Sequence, residues 1–590
     1  MNRLGARVAA AQLAWLVLCV AGCGGGGGDA PDGAFTGVPP APPSSSGGSV
    51  TISGKVTFDL VPSVPGLGLD YARTVPKPAR GVSVELRSGA TVLATTVTDA
   101  AGAYSFSVAP NLDVALRVRA EMVQTGTPGW DFRVLDNTEG DALYVLAGTV
   151  FNTGTADATR DLNAASGWGG ASYTGPRSAA PFAILDVVYD AVGLVRTAAP
   201  STTFPPLRLY WSTSNRPAMG ANGAPDPATG EIGTSFFTTH APGGAGIFLL
   251  GAANDDTDEY DRHVIAHEWG HYLETTFSRS DSIGGPHALG DQLDMRVAFG
   301  EGWGNAFSAM ATASTIYADS GGTGQRFGFA FDIEGPAFPG RTNKAPGWYS
   351  EESLQELLYD LFDAHVDSGG DGSATDDLAL GFGPIFAVLT GKQRTNVALT
   401  SAFPFLNGLR ADRPADAGKI DALAAAQGIA ESSDDYGSAE TTFGEPESSD
   451  FASVYSPLTV NGPAVNVCSL DAFRSSATDS TNKLGSRRFL RVNVQNAGPH
   501  TFIARASGTI NGAADPDMVL HRAGEVAVSD GAPTALCSQS TPAECSETLR
   551  QTLSPGAYVL EVYEWTNTNS HQDSNPPIGR TCFDVTVTSQ

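Results

Sequence analysis

His267-Glu268-Trp269-Gly270-His271 is the pattern in this 590-residue chain whose residue types and spacing most directly imply chemistry. Positions i and i+4 share one face of a helix, one turn apart. Two imidazole nitrogens placed that way can reach a single zinc ion at roughly 2.0–2.1 Å. Glu268 lies one residue along from the first His, where it can address a metal-bound water instead of the metal. The flanking residues fit a helix over 258–277. Thr257 and Asp258 are the expected caps, and Asp258 and Glu259 suit the positive end of a helix dipole. Val264, Ile265, Tyr272 and Leu273 are expected to face the core.

No His follows at the HExxHxxGxxH spacing, where Phe277 stands. Instead a second helix-patterned stretch, 288–313, carries Gly300-Glu301-Gly302-Trp303-Gly304-Asn305. HExxH followed by GEGW resembles the gluzincin metallopeptidases, the thermolysin and fungalysin group in particular. The resemblance implies that His267, His271 and Glu301 bind one zinc, with water in the fourth position. It makes Glu268 the general base, taking a proton from that water and passing it to the leaving amine. Zinc would polarise the scissile carbonyl and lower the water's pKa. Where the family pattern has an Asp orienting a zinc-binding His, this chain has Asn305, which can accept the imidazole N–H but supplies no charge. The family places a His or Tyr opposite the metal to stabilise the oxyanion. Tyr349, just before a helical run at 350–363, is the expected donor, with His365 and His287 as alternatives. The strand Gly246–Gly251 (GIFLLG) reads equally as an edge that pairs with an extended peptide substrate or as a core strand.

These residues need a scaffold, and the chain divides into segments that could provide one. Residues 50–123 alternate apolar and polar side chains between turns, the pattern of a small antiparallel sandwich. The stretch 81–121, centred on TDAAGAYSF, resembles carboxypeptidase-regulatory, transthyretin-type domains, and the runs WDFRVLD and ALYVLAGTVF extend that unit to about residue 168. From 169 to 450 helical spacing predominates, at 181–195, 258–277, 288–313 and 350–366, mixed with strands such as LRLYWS. From 451 to 590 the strand pattern returns, and LSPGAYVLEV with FDVTVT resembles the pre-peptidase C-terminal β-sandwich. The expected fold is therefore multidomain: an α+β, gluzincin-like zincin domain between two all-β sandwiches.

The leader sets the expected location. Arg3 and Arg7 precede an apolar run from Val8 to Gly22, too short to span a bilayer and shaped like a secretory signal. Val20-Ala21-Gly22-Cys23 resembles the bacterial lipobox, which implies removal of residues 1–22 and acylation of Cys23. Gly24 after the lipidated Cys implies the outer membrane of a Gram-negative cell, facing either the periplasm or the surface. Residues 23–49 are rich in Gly, Pro and Ser and form a tether. With 35 basic against 63 acidic residues the formal charge is −28. Phosphate backbones repel such a chain, so nucleic acid is excluded as a partner, and membrane contact is expected through the lipid alone.

The cysteines outside the leader and lipobox are Cys468, Cys537, Cys545 and Cys582. Without a CxxC pair they suit disulfides better than a metal site, and Cys537–Cys545 with Cys468–Cys582 is the favoured connectivity. An acidic, glycine-bent loop at 367–377 could take calcium, although it lacks EF-hand spacing and reads better as a solvated loop. The leading expectation is a lipid-anchored zinc metalloendopeptidase acting on protein or peptide substrates outside the cytoplasm. The alternatives are a catalytically inactive adhesion or carbohydrate-binding protein, and a processing protease dedicated to one substrate.

Overall fold

The alternating run at the start of the folded chain forms the strand Val50–Leu60, which buries Ile52, Val56 and Phe58. It pairs antiparallel with Ala103–Val108, and a second sheet joins Ser83–Ser88 to Thr91–Val97 and Asp113–Arg119. The turn between two of these strands is built by Asp99, whose carboxylate accepts from the N–H groups of Ala101 and Ala103. Gly102 follows at φ +72°, a left-handed conformation that glycine adopts without penalty. Val84, Leu86, Leu116 and Val118 fill the space between the sheets.

The computed structural model describes residues 48–335, 346–363, 378–444, 453–470, 482–508, 514–528, 545–568 and 578–590. The leader, Cys23 and the tether up to residue 47, His365, the acidic loop 367–377 and Cys537 lie outside them. Among the described residues no helix is long and apolar enough to cross a membrane.

The boundary drawn at 168 does not separate the sheets. Glu121–Gln124 pairs with Trp130–Asp136, and Trp130–Asp136 pairs in parallel with Leu207–Trp211, which follows the helix α1, Ala180–Ala198. Leu207–Trp211 continues in parallel to Gly244–Leu249, and Phe236–Ala241 closes the sheet antiparallel to it. Alternation reveals that a segment is a strand but not which sheet it joins. Here the decisive feature is burial. Phe132 and Val134 are fully enclosed in a core shared with α1. The same topology decides between the two readings of GIFLLG in favour of a core strand. The GIFLLG run is interior, paired on both sides, and Phe236–Ala241 is the edge.

Below this sheet lie three helices: α2, Arg262–Phe277; α3, Met295–Thr312; and α4, Glu351–Asp360. α2 begins at Arg262, with Asp261 at its N-cap, so Thr257 and Asp258 do not cap it as expected. Asp258 is instead buried and accepts a hydrogen bond from the Ser235 hydroxyl. The N-caps of α3 and α4 are Asp294, accepting from Arg296 N–H, and Ser350, accepting from Ser353 N–H.

The C-terminal strands form two facing sheets. One runs Tyr455–Leu458, Arg487–Val494, Gly556–Glu564, Pro516–His521, Glu525–Val528, and the other Val465–Ser469, Thr581–Ser589, Gly498–Ser507, Ser546–Leu553. Leu490, Phe502, Leu560 and Phe583 lie in the core between them. Cys468 and Cys582 face each other on paired strands and are joined, as expected. Cys545 is buried and disulfide-bonded as well, and its expected partner, Cys537, lies outside the described residues.

Candidate metal centre

Three glycines allow the helices to come close enough to build the site. A Cβ on Gly304 of α3 would lie 2.7–3.0 Å from the ring of His267, and one on Gly270 of α2 would lie 3.3 Å from Gly304 Cα. A Cβ on Gly302 would stand 2.6 Å from Leu354 of α4. The glycine run around Glu301 thus seats α3 against α2 on one side and α4 on another. Trp303 locks the crossing, its indole N–H donating to Gly270 O at 3.0 Å.

At this crossing His267, His271 and Glu301 converge as a candidate metal-binding group. His267 Nε2 is 3.2 Å from Glu301 Oε2 and 3.0 Å from His271 Nε2, and His271 Nε2 is 3.4 Å from Glu301 Oε2. Tetrahedral donors roughly 2.0–2.1 Å from one ion would stand about 3.3–3.4 Å apart, so the triangle fits a shared cation. The orientation of His267 is fixed from behind. Asn305 donates its amide N–H to Gln355 Oε1 at 2.9 Å, leaving its oxygen to face His267 Nδ1 at 2.8 Å. Nδ1 therefore carries the proton, and the Nε2 lone pair is free for the metal.

Glu268 is buried beside the ligands. Burial raises its pKa, countered in part by the charges of His267 and His271 and by a hydrogen bond from the backbone N–H of Phe237. Phe237 belongs to the edge strand Phe236–Ala241, so the candidate base and the exposed strand edge meet at one point. Burial would also raise Glu301, but His287 and His271 hold its carboxyl well below the usual range. Burial works against protonation of His271, and the Glu301 carboxylate overrides it, raising His271 to about 9.

The other expected residues divide. Asn305 is where the resemblance places it. His287 is at the site, with Nε2 3.2 Å from Glu301 Oε2 and Nδ1 2.7 Å from Glu351 Oε2. Tyr349 is buried, and its hydroxyl donates to Pro346 O at 3.2 Å. Sequence reading missed Glu351, Gln355 and Phe237, whose contacts to the site cross 50–64 residues or depend on sheet position. The one signal available was the alternation Gly300, Gly302, Gly304, since three glycines in a helix interior are costly unless close packing requires them.

No family model matches the chain, and no curated protein does. Solved structures similar to parts of it are β-sandwich-type binding and accessory domains. The pre-peptidase C-terminal domain of a collagenase from Bacillus anthracis aligns over 22% of this chain and 95% of its own, at 13% identity and TM-score 0.14. A surface-associated copper-binding protein from Methylomicrobium album BG8 aligns over 23% and 99%, at 11% identity and TM-score 0.15. A family 35 carbohydrate binding module from Clostridium thermocellum aligns over 22% and 92%, at 14% identity and TM-score 0.13.

Proposed function

We propose that this chain is a zinc-dependent metallopeptidase of gluzincin type, anchored by lipid at Cys23 and acting on protein or peptide substrates outside the cytoplasm. The observation that carries the reading is the meeting of His267, His271 and Glu301 beside a buried Glu268 on the same helix as the two imidazoles. Two imidazoles and one carboxylate are a donor set suited to zinc in a catalytic site. A bound zinc supplies Lewis acidity toward a carbonyl oxygen and toward water.

The protein's own groups do the rest. An extended substrate adds antiparallel to Phe236–Ala241, which brings a scissile bond over Glu268. Glu268 accepts the proton of the attacking water, and its raised pKa suits it to return that proton to the leaving amine. His287, held at Nδ1 by Glu351, offers Nε2–H beside Glu301 and replaces Tyr349 as the proposed oxyanion donor.

The test is cleavage of a fluorescent casein by the purified chain, with and without a zinc chelator. Chelator-sensitive cleavage is expected, and Glu268→Gln should lower kcat about 10²–10⁴-fold with one zinc still bound. Zinc bound one-to-one without cleavage of casein or a mixed peptide library would defeat the general-peptidase reading and leave a processing protease dedicated to one substrate or a binding protein. For the anchor, radiolabelled palmitate should be incorporated by the wild type and not by Cys23→Ser.

A further inference from the structure

A second group of converging oxygens lies on the loop that leads into α2. Asp256 opens the short strand Asp256–Thr257, Asp258 follows it, and Asp319 stands on the strand Ile316–Gly321 that pairs with it. One carboxylate oxygen from each lies within 4.8 Å of the other two. Asp258 is 2% exposed. No Lys, Arg or His pairs with any of the three among the described residues. Their neighbours are treated differently: Glu259 is paired with Arg177, and Asp186 with Arg80 and Arg262.

A separate side chain points to what is missing. Asp261, at the N-cap of α2, has no exposed surface. Its Oδ2 is fixed by Ser320, accepting from the backbone N–H at 2.9 Å and from the hydroxyl at 2.6 Å. Its Oδ1 is buried and has no hydrogen-bond partner, and the same is true of Asp256 Oδ1. Asp319, next to Ser320, and Asp256 are the carboxylates that repel Asp261 most strongly, so Asp261 adds a further negative charge beside the trio. Buried carboxylates without a cation or hydrogen-bond donors are strongly destabilising. Oxygen donors alone, and no imidazole or thiolate, select a hard cation over zinc. Oxygens 2.3–2.6 Å from calcium can stand up to about 4.6–5.2 Å apart, which accommodates three donors within 4.8 Å of one another, and calcium takes irregular sets of carboxylates where magnesium demands near-ideal octahedral geometry and keeps its waters.

We propose that Asp256, Asp258 and Asp319, supported by Asp261, form a calcium site that ties the loop entering α2 to the strand Ile316–Gly321. The site is independent of the peptidase reading. It holds the start of the helix that carries His267 and His271, whatever those residues do.

The test uses the purified full chain, stripped of metal, reloaded with one equivalent of zinc and titrated with calcium by calorimetry. The expected result is one calcium per chain, with a dissociation constant between about 10⁻⁷ and 10⁻³ M, and binding at least about tenfold weaker in Asp258→Asn and Asp319→Asn. Zinc content should not change in those variants. If they fail to fold, the wild type decides: terbium should show luminescence sensitised by nearby tyrosine, including Tyr317 beside Asp319, and calcium should displace it. Absence of saturable calcium uptake up to about 10 mM would overturn the proposal. Unchanged affinity in folded variants would place the ion elsewhere, and equal displacement of terbium by magnesium would contradict the assigned metal.

Discussion

At the scale of single residues, the support behind the ligands should matter almost as much as the ligands. Asn305 is the only contact described at His267 Nδ1, and it is itself held by Gln355. Asn305→Ala should weaken zinc binding about 10–100-fold, measured by competition with a chromogenic chelator, while Asn305→Asp should restore or exceed wild-type affinity by adding charge. Gly304→Ala should be worse than its size suggests, because its methyl would occupy space taken by the His267 ring. That variant should lose bound zinc while Gly193→Ala, whose Cβ meets nothing within 4 Å, should not. Residue types and spacing made HExxH and Glu301 readable, because a helix converts spacing into direction. They could not expose Glu351 or Gln355, which sit on a third helix and reach the site through packing.

At the scale of elements, the loop into α2 carries an electrostatic debt. Burial, with repulsion from Asp319 and Asp255, raises Asp256 to about 7, and burial raises Asp319 to about 6. Both lie above the usual Asp value, so the folded state favours the protonated form. The stabilisation this gives is present below about pH 4 and is lost as pH rises through about 6–7. In calcium-free buffer the melting temperature of the wild type, relative to Asp256→Asn, should therefore fall between pH 4 and pH 8. Calcium should remove most of that fall. Helix positions 181–195 and strand LRLYWS were legible because their apolar periods are long. The N-terminus of α2 was misjudged because Asp258 looks like a cap in sequence but is drawn to Ser235 by the sheet.

At the scale of the whole molecule, residues 49–590 pack as one unit, and the C-terminal sandwich grips the site's scaffold. Lys483, 2% exposed, donates to Pro286 O at 2.7 Å and Asn482 Oδ1 at 2.9 Å, and pairs with Asp291 at 3.1 Å. Asn482 donates to Gly284 O at 2.9 Å, so the loop carrying His287 is held from both sides of that residue. Arg296, on α3, pairs with Glu561 of the sandwich at 2.9 Å. Lys483→Met leaves Asp291 buried without its cation and should destabilise the fold by about 3–5 kcal/mol, read by urea denaturation. In the remaining folded population, hydrogen exchange should accelerate at 284–291 before it does in α2. The sandwich itself was readable from its strand alternation and cysteines. Its grip on the site was not, because nothing in a sequence marks which loop of one sheet will meet which loop of another.

The parallel pairing of Phe132 with Leu207 also bears on how the protein can be cut. A sheet whose neighbouring strands come from either side of a connection stays intact when that connection is broken. A protease that nicks the chain between residues 137 and 179 would give two bands under denaturing conditions and one species in solution. The N-terminal segment is therefore not a separately packed unit, and exchanging it at that junction would take with it a strand of the sheet above the candidate metal centre.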